Sequence, residues 1–212
     1  IYGRRRVGKT RLLLDHFANK KFLYFFAAKK SDSLLARDFM EEIKKKFSID
    51  IYGTPESSAD ILKILVQLGK KEPINVVFDE FQNYRYVDRT FFSEMQKTWD
   101  TEIENKKTRI NLIFSGSSVS LIKQVFLGEE EPLFGRLHYR LHLQPLKLKT
   151  LKEILKDHKL YTCDNFIDLY IFSGGIPKYI DFFIESGAKT FAEFVKEFIF
   201  ENSPLLEEGK FS

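Results

Sequence analysis

Eight residues near the start of the chain, Gly3-Arg4-Arg5-Arg6-Val7-Gly8-Lys9-Thr10, match the spacing G-x-x-x-x-G-K-[ST] at every required position. Such a loop constrains the fold around it, because it needs a strand to arrive on and a helix to leave by. Ile1-Tyr2 reads as the end of that strand. Leu12, Leu13 and Phe17 then form an apolar stripe at helical spacing. Gly3 and Gly8 permit a tight turn in which successive backbone N–H groups point at one anion. Lys9 is placed to reach β- and γ-phosphates and Thr10 to offer a hydroxyl to Mg²⁺, with the dipole of the following helix adding positive potential. The nucleotide-binding set is therefore Gly3, Arg4, Arg5, Arg6, Val7, Gly8, Lys9 and Thr10, with Arg11 beside it. The chain begins without Met and almost on this loop, so an N-terminal piece carrying the rest of the first strand is expected to precede the numbering.

A second motif completes the chemistry. Ile74-Asn75-Val76-Val77-Phe78 is an apolar run ending in Asp79-Glu80, the Walker-B pattern. Asp79 fits a Mg²⁺ ligand acting through water. Glu80 fits the carboxylate that orients or deprotonates an attacking water. Alone, two acids after a strand are weak evidence; with the phosphate loop upstream they gain a common purpose. The adjacent acid also favours water-splitting ATP chemistry over transfer to a substrate hydroxyl. Asn105-Lys106-Lys107-Thr108 lacks the Asp of a guanine-reading motif.

Two further signals follow. After the strand Ile110–Phe114, Ser115-Gly116-Ser117-Ser118 sets hydroxyls where a γ-phosphate would be sensed; Ser115 is the leading candidate, and Ser117 or Ser118 could instead cap the next helix. Pro132-Leu133-Phe134-Gly135-Arg136 ends in an arginine that can act as a finger on a neighbouring subunit's γ-phosphate or pair locally with an acid.

Strands and helices alternate up to residue 145. Strands are predicted at 21–26, 74–78, 110–114 and 137–143, and helices after Ser31-Asp32-Ser33, after Ser57 or Ser58, over 88–106 and after Ser117 or Ser118. Residues 50–56, with Gly53 and Pro55, read as a loop. After Pro145 only helices are predicted, near 149–158, 163–172, 177–185 and 189–201. This organisation implies an α/β core with a parallel sheet over 1–145 and a small helical domain over 146–212. Charge divides likewise: 25 basic and 19 acidic residues before 146, nine and eleven after. The basic excess suits either a solvated surface or contact with nucleic acid. His16, His138, His142 and His158 form no ligand pattern. A single Cys163 excludes an intrachain disulfide and suits a reducing, cytoplasmic setting, and no apolar run is long enough for a membrane span.

Five motifs in order resemble one family. They are the loop at 3–10, Phe78-Asp79-Glu80-Phe81-Gln82, Phe114-Ser115-Gly116-Ser117-Ser118, Pro132-Leu133-Phe134-Gly135-Arg136 and Ser173-Gly174-Gly175-Ile176-Pro177-Lys178-Tyr179. Together they resemble the prokaryotic archaeal-type AAA ATPases, a STAND branch related to AAA+ proteins. The resemblance implies a five-stranded P-loop core of order 5-1-4-3-2 with a helical lid and Mg-ATP held between them. It implies ATP hydrolysis as the activity of a molecular switch, with Pro177 near the nucleotide base. Pro177 also fits as the first residue of a helix after Gly174 and Gly175. No clear sensor-2 arginine is present, Lys178 being the nearest substitute. ATP or ADP is the implied ligand, with a homo-oligomer if Arg136 acts in trans. A nuclease-like C-terminal domain or DNA is a further implied partner. In a nucleic-acid-associated alternative, similar to origin-binding relatives, the nucleotide is mainly structural.

Overall fold

The computed structural model describes residues 1–47 and 53–196. The described residues divide into two compact units, 1–5 with those of 9–143 and 6–8 with 144–196. The loop over 50–56 and the helix over 189–201 lie partly outside the described residues.

The first unit is built on β1 (Phe22–Phe26), β2 (Ile74–Asp79) and β3 (Ile110–Phe114). They pair in parallel in the order β1-β2-β3, with Tyr24 opposite Val77, Phe26 opposite Asp79 and Phe78 opposite Phe114. Apolar residues occupy both faces, as a sheet covered on both sides requires. On one face Val77, with Tyr24 and Ile113, packs against Leu13 and Phe17 of α1 (Lys9–Phe17). On the other, Leu23, Phe25, Val76, Phe78 and Phe114 join the larger core. That core takes in α2 (Asp32–Phe47), α3 (Ser58–Lys71), the short α4 (Tyr84–Val87), α5 (Thr90–Thr98) and α6 (Val119–Leu127). Phe78 and Phe81 sit within a ring cluster, Phe81 lying 4.5 Å from Phe114 and 5.6 Å from Phe126. This aromatic floor lies directly beneath the end of β2.

Three expectations change. The five-stranded sheet is not formed as regular strands among the described residues. Tyr2 makes single parallel bridges to Gly116 and His142, and 137–143 contributes only that second bridge. Its alternation of apolar and polar residues is real, but a strand requires a partner's backbone along its length. Here the paired groups are Leu141 and Leu143, both bonded to Tyr2, while Tyr139 is 93% exposed. The single helix over 88–106 is also divided. Asp88 accepts from Thr90 N and Oγ1, so α5 starts there, and Trp99–Ile103 then widens into a π turn. Finally, neither Ser117 nor Ser118 caps α6 through its side chain: Ser118 holds the cap position without such a bond, and Ser117 bonds elsewhere.

The second unit is helical: α7 (Leu148–Asp157), α8 (Cys163–Ser173), α9 (Pro177–Ser186) and α10 (Phe191–Phe194). Its core holds Leu151, Leu155, Leu169, Ile180, Phe183, Ala188 and Phe194. The buried Asn165 ties the unit together, donating to Leu160 O and Lys189 O and accepting from Phe191 N. Among the described residues no helix is long and apolar enough to cross a membrane.

Candidate functional site

The loop at 3–8 leads straight into α1, and its backbone is unusual. Gly8 has φ +95, and Arg6, a non-glycine, has φ 66 in the left-handed region. Lys9, 5% exposed, folds back over the loop and donates to Gly3 O (2.9 Å) and Arg4 O (3.0 Å). Burial lowers the Lys9 pKa; attraction to Glu80 and Asp79 partly offsets this, and Arg5 adds to the lowering.

Parallel pairing brings the end of β2 beside the start of α1. Asp79 is 3% exposed, and its Oδ2 accepts from Thr10 Oγ1 (2.9 Å) and from Tyr24 Oη (2.6 Å). Its Oδ1 accepts from Glu80 N (2.9 Å). Burial, then the bond to Asp79, pushes the Tyr24 phenol above its ordinary range. Glu80 itself is left-handed, at φ 53 and ψ 37. Its Oε2 accepts from Ser117 Oγ (2.7 Å) and from Gln82 Nε2. Glu80 is thus one of the four described non-glycine residues with positive φ, a strain that the structure around it must hold.

The structure therefore gathers Gly3, Lys9, Thr10, Asp79 and Glu80. Ser115 is fully buried with its hydroxyl unpartnered, and its backbone joins β2 to β3: its N–H donates to Phe78 O (2.8 Å) and its carbonyl accepts from Phe81 N (3.0 Å). Val7 is buried; Arg4 and Arg5 are exposed, Arg5 on the wall of a cavity that Glu80 also lines. Arg6 groups with the second unit, where Nη1 donates to Tyr179 Oη (3.4 Å). Arg11 points to solvent and pairs with Asp15 one turn on.

Two further expected residues have local roles. Arg136 grips Asp100 with two bonds of 2.8 Å and also donates to Pro132 O and Phe134 O. That pairing holds Asp100 below the ordinary carboxylate range. Pro177 is the first residue of α9, and Gly174 and Gly175 both have positive φ at the turn before it. A Cβ at Gly175 would stand 2.3 Å from Leu146 O, so this position must be glycine on steric grounds.

Tyr24 carries no motif signal, and Gln82 stands in a motif without a role of its own there. Tyr24 reads as one more aromatic residue in an apolar strand. Only its register with β2, two residues short of Asp79, turns its hydroxyl into a donor to that carboxylate.

The donor set suits a hard cation. Thr10 and Asp79 present a hydroxyl and a carboxylate in contact, oxygen ligands of the kind Mg²⁺ takes together with phosphate oxygens. Among the described residues no three His, Cys, Asp or Glu side chains gather into an all-protein metal cage.

A parallel sheet covered by helices, with this loop running into α1 and an acid pair ending β2, defines a P-loop nucleotide-binding α/β domain. The chain belongs to the family of ATPase domains found predominantly in Archaea, whose model matches residues 1–183. It is 32% identical over 181 residues to an uncharacterised protein of Methanocaldococcus jannaschii, covering 85% of this chain and 38% of that one. The fold is similar to the Walker-type ATPase of Pyrococcus abyssi, with a TM-score of 0.68 at 20% identity over 89% of this chain and 63% of the other. It is also similar to Cdc6p of Pyrobaculum aerophilum, with a TM-score of 0.56 at 16% identity over 90% and 58%. ORC2 of Aeropyrum pernix gives 0.51 at 21% identity over 73% and 43%. The chain thus spans less than two thirds of each of these relatives.

Proposed function

We propose that this chain binds Mg-ATP and hydrolyses it as a nucleotide-dependent switch of the STAND type. The observation that carries this reading is the 2.9 Å bond from Thr10 to Asp79, which joins the phosphate loop to the end of β2 with Glu80 as the next residue. Backbone N–H groups of residues 3–8 and Lys9 hold the phosphates, and Thr10 and Asp79 hold the cation. A bound Mg²⁺ supplies charge neutralisation on the β- and γ-phosphate oxygens. Glu80 accepts a proton from water as the water oxygen bonds to the γ-phosphorus; the bond from that phosphorus to the bridging oxygen breaks, and ADP leaves with those electrons. Ser115 is the proposed γ-phosphate sensor, and Pro177 the proposed contact to the nucleotide base.

The same reading makes the bridges at Tyr2 and His142 the ends of two further strands, giving the sheet order 5-1-4-3-2, and makes 146–212 the helical lid. Arg136 acts in trans only if its pair with Asp100 opens.

Glu80→Gln is expected to lower ATP turnover by about 10²–10³-fold while leaving ADP affinity within twofold. Lys9→Ala should weaken nucleotide binding itself. Unchanged turnover in Glu80→Gln refutes the catalytic role, and unchanged binding in Lys9→Ala refutes the phosphate site.

A further inference from the structure

We propose that Ser117 and Gln82 are positioning residues that fix the carboxylate of Glu80 for its attack-directing role; this rests on the reading of Glu80 given above. A glutamate side chain has three rotatable bonds, and holding it still costs rotamer entropy. Here two donors meet that cost at a single oxygen. Ser117 Oγ lies 2.7 Å from Glu80 Oε2, and Gln82 Nε2 bonds the same atom. Anchoring Oε2 twice leaves Oε1 as the oxygen that can accept from water.

Both donors are themselves fixed. Gln82 is 3% exposed and sits in the 3-10 turn Phe81–Asn83. Its Oε1 is buried without a partner and lies against Gly116, where a Cβ would stand 2.3 Å from it. A Cβ there would also stand 2.2 Å from Ile122 Cγ1, so Gly116 leaves room for both the Gln82 amide and Ile122. The carboxylate demands a donor, which settles the amide orientation with Nε2 toward Glu80. Ser117 follows Gly116 directly, and Gly116 N donates to Ile1 O (3.2 Å). With Ser115 bonded to both Phe78 and Phe81, the ends of β2 and β3 are laced together.

The clamped carboxylate forms part of the wall of a cavity of about 460 Å³, also lined by Arg5, Asn83 and Ser118. Water reaching this space meets a base already oriented. Geometry of this kind matters steeply, since a misplacement of about 1 Å costs on the order of 100-fold in rate. The serine that matters to Glu80 is thus Ser117, two residues beyond the buried Ser115.

The test is single-turnover ATP hydrolysis by Ser117→Ala, Glu80→Gln and the double variant, with ADP affinity and melting temperature measured in parallel. Ser117→Ala is expected to slow hydrolysis about tenfold with ADP affinity and melting little changed. Ser117→Thr should restore most of the rate. In the Glu80→Gln background, Ser117→Ala should cost nothing more, because the group it positions is gone. Gln82→Met, close in volume but without the donor, should repeat the pattern. The inference is overturned if Ser117→Ala and Gln82→Met leave the rate unchanged while Glu80→Gln abolishes it. It is equally overturned if their losses are the same in both backgrounds. Hydrolysis unchanged by Glu80→Gln refutes the role of Glu80 and this inference with it.

Discussion

Two glycine turns in this chain each run into a helix, and they use their glycines in opposite ways. At Gly8, φ is +95 and a Cβ would meet no atom within 4 Å. At Gly175, φ is +75 and a Cβ would meet Leu146 O at 2.3 Å; the same glycine's carbonyl accepts from Leu146 N at 2.7 Å. One turn keeps room beside its backbone, as a loop that must admit a phosphate does. The other is filled by a neighbouring segment and serves packing. Glycine spacing alone does not separate these cases, and Gly174, beside Gly175, has as much room as Gly8.

The largest effect should come from the filled turn. Gly175→Ala combines a left-handed backbone with a backbone clash, and we expect a loss of about 3 kcal/mol of stability by denaturant unfolding. A melt like that of the unsubstituted chain would show that the segment at Leu146 gives way and would erase the contrast. Gly8→Ala should do the reverse. It should lose less stability than Gly175→Ala, yet weaken ADP binding about 30-fold, ~2 kcal/mol, because the Cβ stands where phosphate must approach. Equal damage to stability in the two variants would break the comparison.

Two aspartates sharpen the same distinction. Among the described residues Asp79 accepts from neutral donors, Thr10, Tyr24 and a backbone N–H. Asp100 is neutralised by Arg136. Tyr24→Phe removes one donor and should raise the Mg²⁺ concentration needed for half-maximal turnover about tenfold, with the fold intact. An unaltered Mg²⁺ dependence would make that bond merely structural.

Arg136→Ala should cost less than about 1 kcal/mol, since the pair is partly exposed. Because Arg136 lowers the Asp100 pKa, the pair's stabilisation is present above the unfolded value of 3.8 and fades as pH falls through the lowered folded value. Acid unfolding curves of the two proteins should therefore converge at low pH. Curves separated by a constant amount would exclude the ion pair as the cause.

The parts legible in the sequence are those set by local chemistry. The three strands, a serine cap at 57 or 58 (Ser57 in the structure), Pro177 at a helix start and the motif residues Lys9, Thr10, Asp79 and Glu80 all lie where residue type and spacing put them. What was not legible depends on pairing across the chain. The alternation at 137–143 could not reveal that His142 would bridge Tyr2 at the other end of this unit's sequence. Ser117 looked like a helix cap until the fold set Glu80 beside it. Tyr24 needed the β1–β2 register before its hydroxyl had a meaning.

Lys9 adds a kinetic point. Its ammonium is already bonded to Gly3 O and Arg4 O, so the loop is braced by its own side chain. On the function proposed above, nucleotide arrival would be a swap of bonding partners for that ammonium rather than the ordering of a slack segment. Affinity is tempered by the bonds given up, whereas the arrival rate escapes the penalty of waiting for a loop to fold.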